Sequence, residues 1–169
     1  ASVAGVERLT RRTAGASLVA LALVVSGVAA TSPARAVPTV QVADAAWSLA
    51  TPLAREVVVA SGSRFTVVGG VDASGTSTNT LSEVDPRSGT STAVGSLALG
   101  VHDAAGVRAG RRILVLGGGT GEAGTAAVQS VGADGVGTAT GALPEPRADL
   151  VAARVGNATY VFGGANGDV

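Results

Sequence analysis

The sequence predicts an all-β fold of repeated four-stranded units, and three observations predict it. A 22-residue pattern occurs three times without a gap, at residues 49–70, 97–118 and 143–164. Each copy has Leu first, Gly at the fourteenth place (Gly62, Gly110, Gly156), Val at the nineteenth (Val67, Val115, Val161) and a Gly pair last. The pairs Gly69-Gly70, Gly117-Gly118 and Gly163-Gly164 are 48 and 46 residues apart. A fixed period of that length, filled with short strands, is the signature of β-propeller blades.

In chain order, a separate region comes first. Arg8, Arg11 and Arg12 precede an apolar stretch, residues 14–30, and Ala34-Arg35-Ala36 has the small-x-small form of a cleavage site. Basic, apolar and small-residue parts in this order read as a secretory signal over residues 1–36, helical at about 11–30. Seventeen residues rich in Ala are short for a membrane span, which needs about 20. If left uncleaved, residues 11–30 are the only membrane contact expected, and the repeats lie outside the cytoplasm. The expected location is secreted or cell-surface.

Residues 37–169 are then the repeat region. The first window places apolar runs at 56–61 and 65–68 around Ser61-Gly62-Ser63. The second places them at 104–109 and 113–116 around Gly110-Arg111-Arg112, and the third at 150–155 and 159–162 around Gly156-Asn157-Ala158. Short Val-rich runs bounded by Gly and Asn read as β-hairpins. Runs of four to six residues, cut by Gly at fixed places, are poor helices. The Gly pairs suit a sharp exit from the second strand, because Gly accepts positive φ and close backbone approach. Third strands are expected at 81–85 and 126–131, and fourth strands at 90–94 and 136–140.

One competing pattern exists. A strand at 113–116 runs into Gly119-Thr120-Gly121-Glu122-Ala123-Gly124, the dinucleotide fingerprint. A helix should follow, but Gly132, Gly135 and Gly137 interrupt it, and the other two Gly pairs carry no such extension.

Composition excludes several classes. All twelve basic residues are Arg, which with abundant Ala, Gly and Val fits a GC-rich bacterial gene. From Val37 onward eight Arg face eleven acids, a charge of −3, and no basic stripe for nucleic acid exists. Absence of Cys removes disulfides, thiolate metal sites and Cys nucleophiles.

The third copy carries a family resemblance. Leu143-Pro144-Glu145-Pro146-Arg147 and Tyr160-Val161-Phe162-Gly163-Gly164 resemble the kelch repeat, and Val84-Asp85-Pro86 sits where that family often has Tyr-Asp-Pro. Val84 and Val131 replace the family's Tyr, and Ser91 and Gly137 fall near its Trp position. The resemblance implies a partial kelch-like propeller of about two and a half blades: residues 49–94, 95–141 and a half blade at 142–169. It also implies that residues 37–48, with Trp47, are a ring-closing strand; the plainer reading of Trp47 is a ring at a solvent boundary. Closed propellers have four to eight blades, so the chain reads as a fragment of a longer protein, or as a small repeat protein that closes by oligomerising.

Strands alternate in direction, so the loop before the first strand of each hairpin and the loop after the second share one end. That groups His102, Asp103, Arg147 and Asp149 with Asp72 and Glu122. Loops on a rigid scaffold are the usual place for binding residues. Asp103 and Asp149 hold the same place in their windows, so repetition relates them as a candidate carboxylate ring for a cation or sugar hydroxyls. The plainer reading is solvated turn residues bonded to backbone. No catalytic residue, cofactor or metal is expected: His102 is the only His, without an evident triad partner. Kelch-like galactose oxidase uses copper held by Tyr and His with a Tyr–Cys crosslink, which one Tyr, one His and no Cys cannot supply. The expected function is an extracellular, non-catalytic module binding protein or carbohydrate at the loop face. The alternative is a fragment of a secreted carbohydrate-active enzyme, mutarotase- or oxidase-like, with its active-site residues in other blades.

Overall fold

Both runs of every window form strands, as the Val-rich composition requires. The computed structural model describes residues 40–121 and 123–166. The expected signal segment at 1–36, the helix expected at 11–30, the N-terminus expected at Val37 and Glu122 lie outside the described residues. The hairpins are β1 (Val57–Ser61) with β2 (Arg64–Val68), β5 (Ala105–Ala109) with β6 (Arg112–Leu116), and β9 (Ala148–Val155) with β10 (Ala158–Ala165). Gly62, Gly110 and Gly156 turn them at φ of 64°, 62° and 58°. Outer strands follow the first two hairpins: β3 (Thr80–Val84) and β4 (Ser91–Ser96), then β7 (Ala127–Val131) and β8 (Gly137–Ala142).

The strand orders are β1-β2-β3-β4 and β5-β6-β7-β8, with β9 and β10 as a two-stranded sheet. Every strand pair is antiparallel. No helix lies among the described residues, and none there is long and apolar enough to cross a membrane. The fold is all-β and consistent with a propeller-like arrangement. Strand ends differ from expectation by one or two residues, apart from β10, which runs on through its Gly pair to Ala165.

One expected strand is not formed, and the competing dinucleotide pattern finds no support. Residues 40–47 form no strand. Trp47 instead lies on the first sheet, its ring stacked on Phe65 at 6.3 Å and its Nε1–H donating to the Pro86 carbonyl at 2.8 Å. An indole that covers its ring and satisfies its N–H this way has no need of a ladder. The dinucleotide reading fails too. Gly119 and Gly124 bridge each other, and the chain then enters β7, antiparallel to β6. The β-branched Val128 and Val131 fit that pleated surface better than a helix.

The sheets pack face to face with period-two burial. Val57 and Val59 are 6% and 5% exposed, whereas Val58 between them is 55% exposed. Gly106 of β5 receives this ridge; a Cβ there would run into the side chains of Val57 and Val59. The first core joins Val57, Val59, Val68 and Leu81 to Ile113, Val115 and Val131. The second joins Ala105, Val107 and Leu116 to Leu150, with Ala152 and Val161 beside them. Burying each large aliphatic side chain stabilises by roughly 1.5–3 kcal/mol. Both complete sheets carry a bulge at the same repeat position, after Leu81 and after Val128. Gly95 and Gly141 sit opposite on the outer strands.

Candidate functional site

The loop end is built by the Gly pairs. Their φ values are 62° and 97°, 62° and 101°, and 69° and 86°. The second Gly of the first two pairs donates its N–H to the fifth residue of the next window: Gly70 to Val101 and Gly118 to Arg147, both at 2.8 Å. A Cβ on Gly117 would lie 2.5 Å from the Arg147 carbonyl, and one on Gly69 would strike that of Val101. Glycine is therefore required both for its positive φ and for this approach.

The seventh place of each window adds a second link. Arg55, Asp103 and Asp149 all occupy it, with φ of 62°, 51° and 58°, in a region non-glycine residues seldom enter. The Asp103 N–H donates to the Arg55 carbonyl and the Asp149 N–H to the Asp103 carbonyl, each at 2.9 Å. The left-handed turn points each carbonyl at the next repeat and stitches successive sheets by backbone. The Arg55 guanidinium pairs with the Asp103 carboxylate, whose side chain is only 10% exposed.

Beside this seam three segments converge on an open groove of about 430 Å³. Gly75, Thr76 and Ser77 come from the β2–β3 loop, Leu99 and Gly100 from the segment before β5, and Thr120 and Gly121 from the β6–β7 loop. Asp72 shapes the first of these. Its Oδ1 accepts from the Ser74 hydroxyl at 2.6 Å and from the Ser74 and Thr76 N–H groups at 2.9 and 3.0 Å. These bonds, the hydroxyl first, hold its carboxyl below the usual carboxylate range. Ser77 lies at the groove's edge, its Oγ 2.7 Å from His102 Nδ1 and accepting the Gly121 N–H at 3.2 Å. The imidazole is 5% exposed and packs on Gly119, where a Cβ would strike Nε2. His102 Nε2 stands 3.9 Å from Asp103 Oδ2.

The predicted residues therefore divide. Asp72 belongs to a turn that lines the groove, and His102 lies buried behind it. Asp103 is half-buried and ion-paired rather than an open loop carboxylate: Arg55 from the preceding repeat covers it. Asp149 is exposed. Arg147 is a structural tie, donating to the Gly163 and Gly164 carbonyls at 3.3 and 3.1 Å and pairing with Glu145. Among the described residues no group of three or more His, Asp or Glu is placed to hold a metal ion.

Sequence reasoning missed Ser77 and Gln129. Gln129 is 1% exposed and grips the backbone of Leu99 twice, accepting its N–H at 2.8 Å and donating to its carbonyl at 3.0 Å. A signal for His102 did exist: it holds the sixth place of its window, where the other copies have Ala54 and Ala148. A large polar side chain at a place otherwise given to Ala must find a partner.

No family model and no curated protein matches the chain. Among solved structures, that of YjhT matches with a TM-score of 0.60 at 18% identity over 72% of this chain. The chain spans 42% of the length of that structure. It is one of 118 matching chains, so this arrangement of sheets recurs among known folds.

Proposed function

We propose that the chain forms part of a kelch-like propeller, exported from a bacterial cell, that binds a carbohydrate or protein ligand at its loop end. The observation that carries this is the groove of about 430 Å³ where loops from two successive repeats meet. Its walls offer hydroxyl groups from Thr76, Ser77 and Thr120, glycine backbone, and one apolar side chain, Leu99, 41% exposed. Hydroxyls and backbone amides beside a small apolar patch suit a hydroxylated ligand. Seam and Gly pairs hold the three loops rigidly, which limits the entropy lost on binding. The exposed face of the third hairpin repeats, place for place, faces that are buried between the first two sheets, so further sheets would complete the ring.

A microarray of oligosaccharides and peptides, followed by calorimetric titration of the hits, tests the reading. Thr120→Trp should fill the groove and abolish binding while leaving the melting temperature within about 2 °C, as expected of a surface loop change. Arg111→Ala, in the β5–β6 turn at the opposite end, should bind normally. Binding that survives Thr120→Trp and is lost in Arg111→Ala removes the loop end from consideration.

A further inference from the structure

We propose that Ser77 is an acyl-accepting nucleophile, with His102 as its base, acting on carboxylic esters of short acyl chain in the loop-end groove. The proposal rests on the reading that this groove admits ligands, and it adds chemistry to it.

The geometry is that of a hydroxyl set against an imidazole. Ser77 Oγ and His102 Nδ1 are 2.7 Å apart, within the range of a strong hydrogen bond. Oγ already accepts the Gly121 N–H, so its own hydrogen is free to point at Nδ1. The Asp103 carboxylate, 3.9 Å from Nε2, favours the ring proton on that nitrogen. Nδ1 is then the acceptor a general base requires. Asp103 is a positioning residue: it acts through the imidazole and is itself held by Arg55. Burial of the imidazole shields this pair from water, while Ser77 faces the groove. Leu99 gives the acyl chain an apolar surface.

The step balances without a co-reactant other than water. Oγ bonds to the ester carbonyl carbon as its proton passes to Nδ1. The carbon–oxygen bond to the alcohol breaks, and the alcohol leaves with that proton. Water then attacks the acyl-serine and gives a proton to Nδ1. Oγ takes the proton back as the carboxylic acid departs.

The test treats the folded full chain with a fluorophosphonate and with p-nitrophenyl acetate, mapping the phosphonate adduct by peptide mass. One adduct per chain should appear on Ser77. Ser77→Ala should remove it, and His102→Gln should slow labelling and acetate release by about 100-fold or more. Should His102→Gln fail to fold, Ser77→Cys provides the second arm: its thiol should alkylate with iodoacetamide faster than a thiol at Ser74 in Ser74→Cys. The ring tautomer is read from imidazole nitrogen shifts, which should move from Nε2–H toward a mixture in Asp103→Asn; unchanged shifts exclude Asp103 from the arrangement. No adduct, an adduct elsewhere, or equal labelling of Ser77→Ala overturns the proposal. Ligand binding with no labelling sinks this chemistry alone, and labelling with no sugar or peptide binding sinks only the binding reading.

Discussion

The second and third sheets start from the same 22-residue pattern and end in opposite environments. In the second, Ala105, Val107 and Leu116 are 4%, 7% and 5% exposed under the third hairpin. In the third, Val151 and Phe162 hold the places of Ala105 and Leu116, yet are 65% and 58% exposed. The contrast extends to the Gly pairs. Gly117 lies against the Arg147 carbonyl, whereas a Cβ on Gly163 would meet nothing within 4 Å. Local sequence therefore makes the hairpin, and the neighbouring repeat makes the core. In repeat arrays, stability is a sum of unit and interface contributions, and the third hairpin has one interface of the two that the second sheet has.

The sharpest way to break this comparison is paired truncation at the twentieth place. Leu116→Ala should cost about 2–5 kcal/mol, and Phe162→Ala at most about 1 kcal/mol, as for exposed sites. Urea denaturation of both variants decides it; equal losses would mean that the third hairpin's face is covered in solution. Gly117→Ala and Gly163→Ala come next. Both force a side chain into the left-handed region, at about 1–2 kcal/mol, but only Gly117→Ala also collides with backbone. The difference should be about 1–3 kcal/mol, the usual penalty for overpacking.

A smaller contrast isolates the ion pair at the seam. Asp103→Ala and Asp149→Ala suffer the same left-handed strain, so their difference reports the Arg55–Asp103 pair. With Arg55 47% exposed, it should be about 0.5–1 kcal/mol by calorimetry. Least of all is the effect of pH on the β2–β3 turn. The Asp72 carboxyl is held below its ordinary value of 3.8, so its contribution is present above that value and fades as pH falls through the lower folded value. Carbon-13 titration of the Asp72 carboxyl should show this, and Ser74→Ala should move its midpoint upward.

Most of the fold was legible because it is periodic. Val57, Val59 and the Gly pairs announce strand, face and turn by spacing alone. The bulges after Leu81 and Val128 were not legible, since nothing in a strand's own residues marks the skipped partner; only the recurrence of Gly95 and Gly141 hints at it. The site was harder still. Asp103 reads as an exposed loop acid until Arg55, 48 residues earlier, is placed beside it. Ser77 and His102 are 25 residues apart on different sheets' loops, and no local pattern joins them. Trp47 left two readings open, a ring-closing strand and a ring at a solvent boundary, because nothing local in the sequence marks Pro86 and Phe65 as its partners.

That placement of Trp47 has an optical use. The chain's one Trp lies on the first sheet, stacked on Phe65, and its one Tyr, Tyr160, stacks on Phe162 in the third at 6.5 Å. Trp emission therefore reports the first repeat and the Tyr near-ultraviolet signal the third. If the repeats lose order one after another, the two signals will separate along a denaturant gradient, and the lag between them will measure how strongly each repeat holds its neighbour.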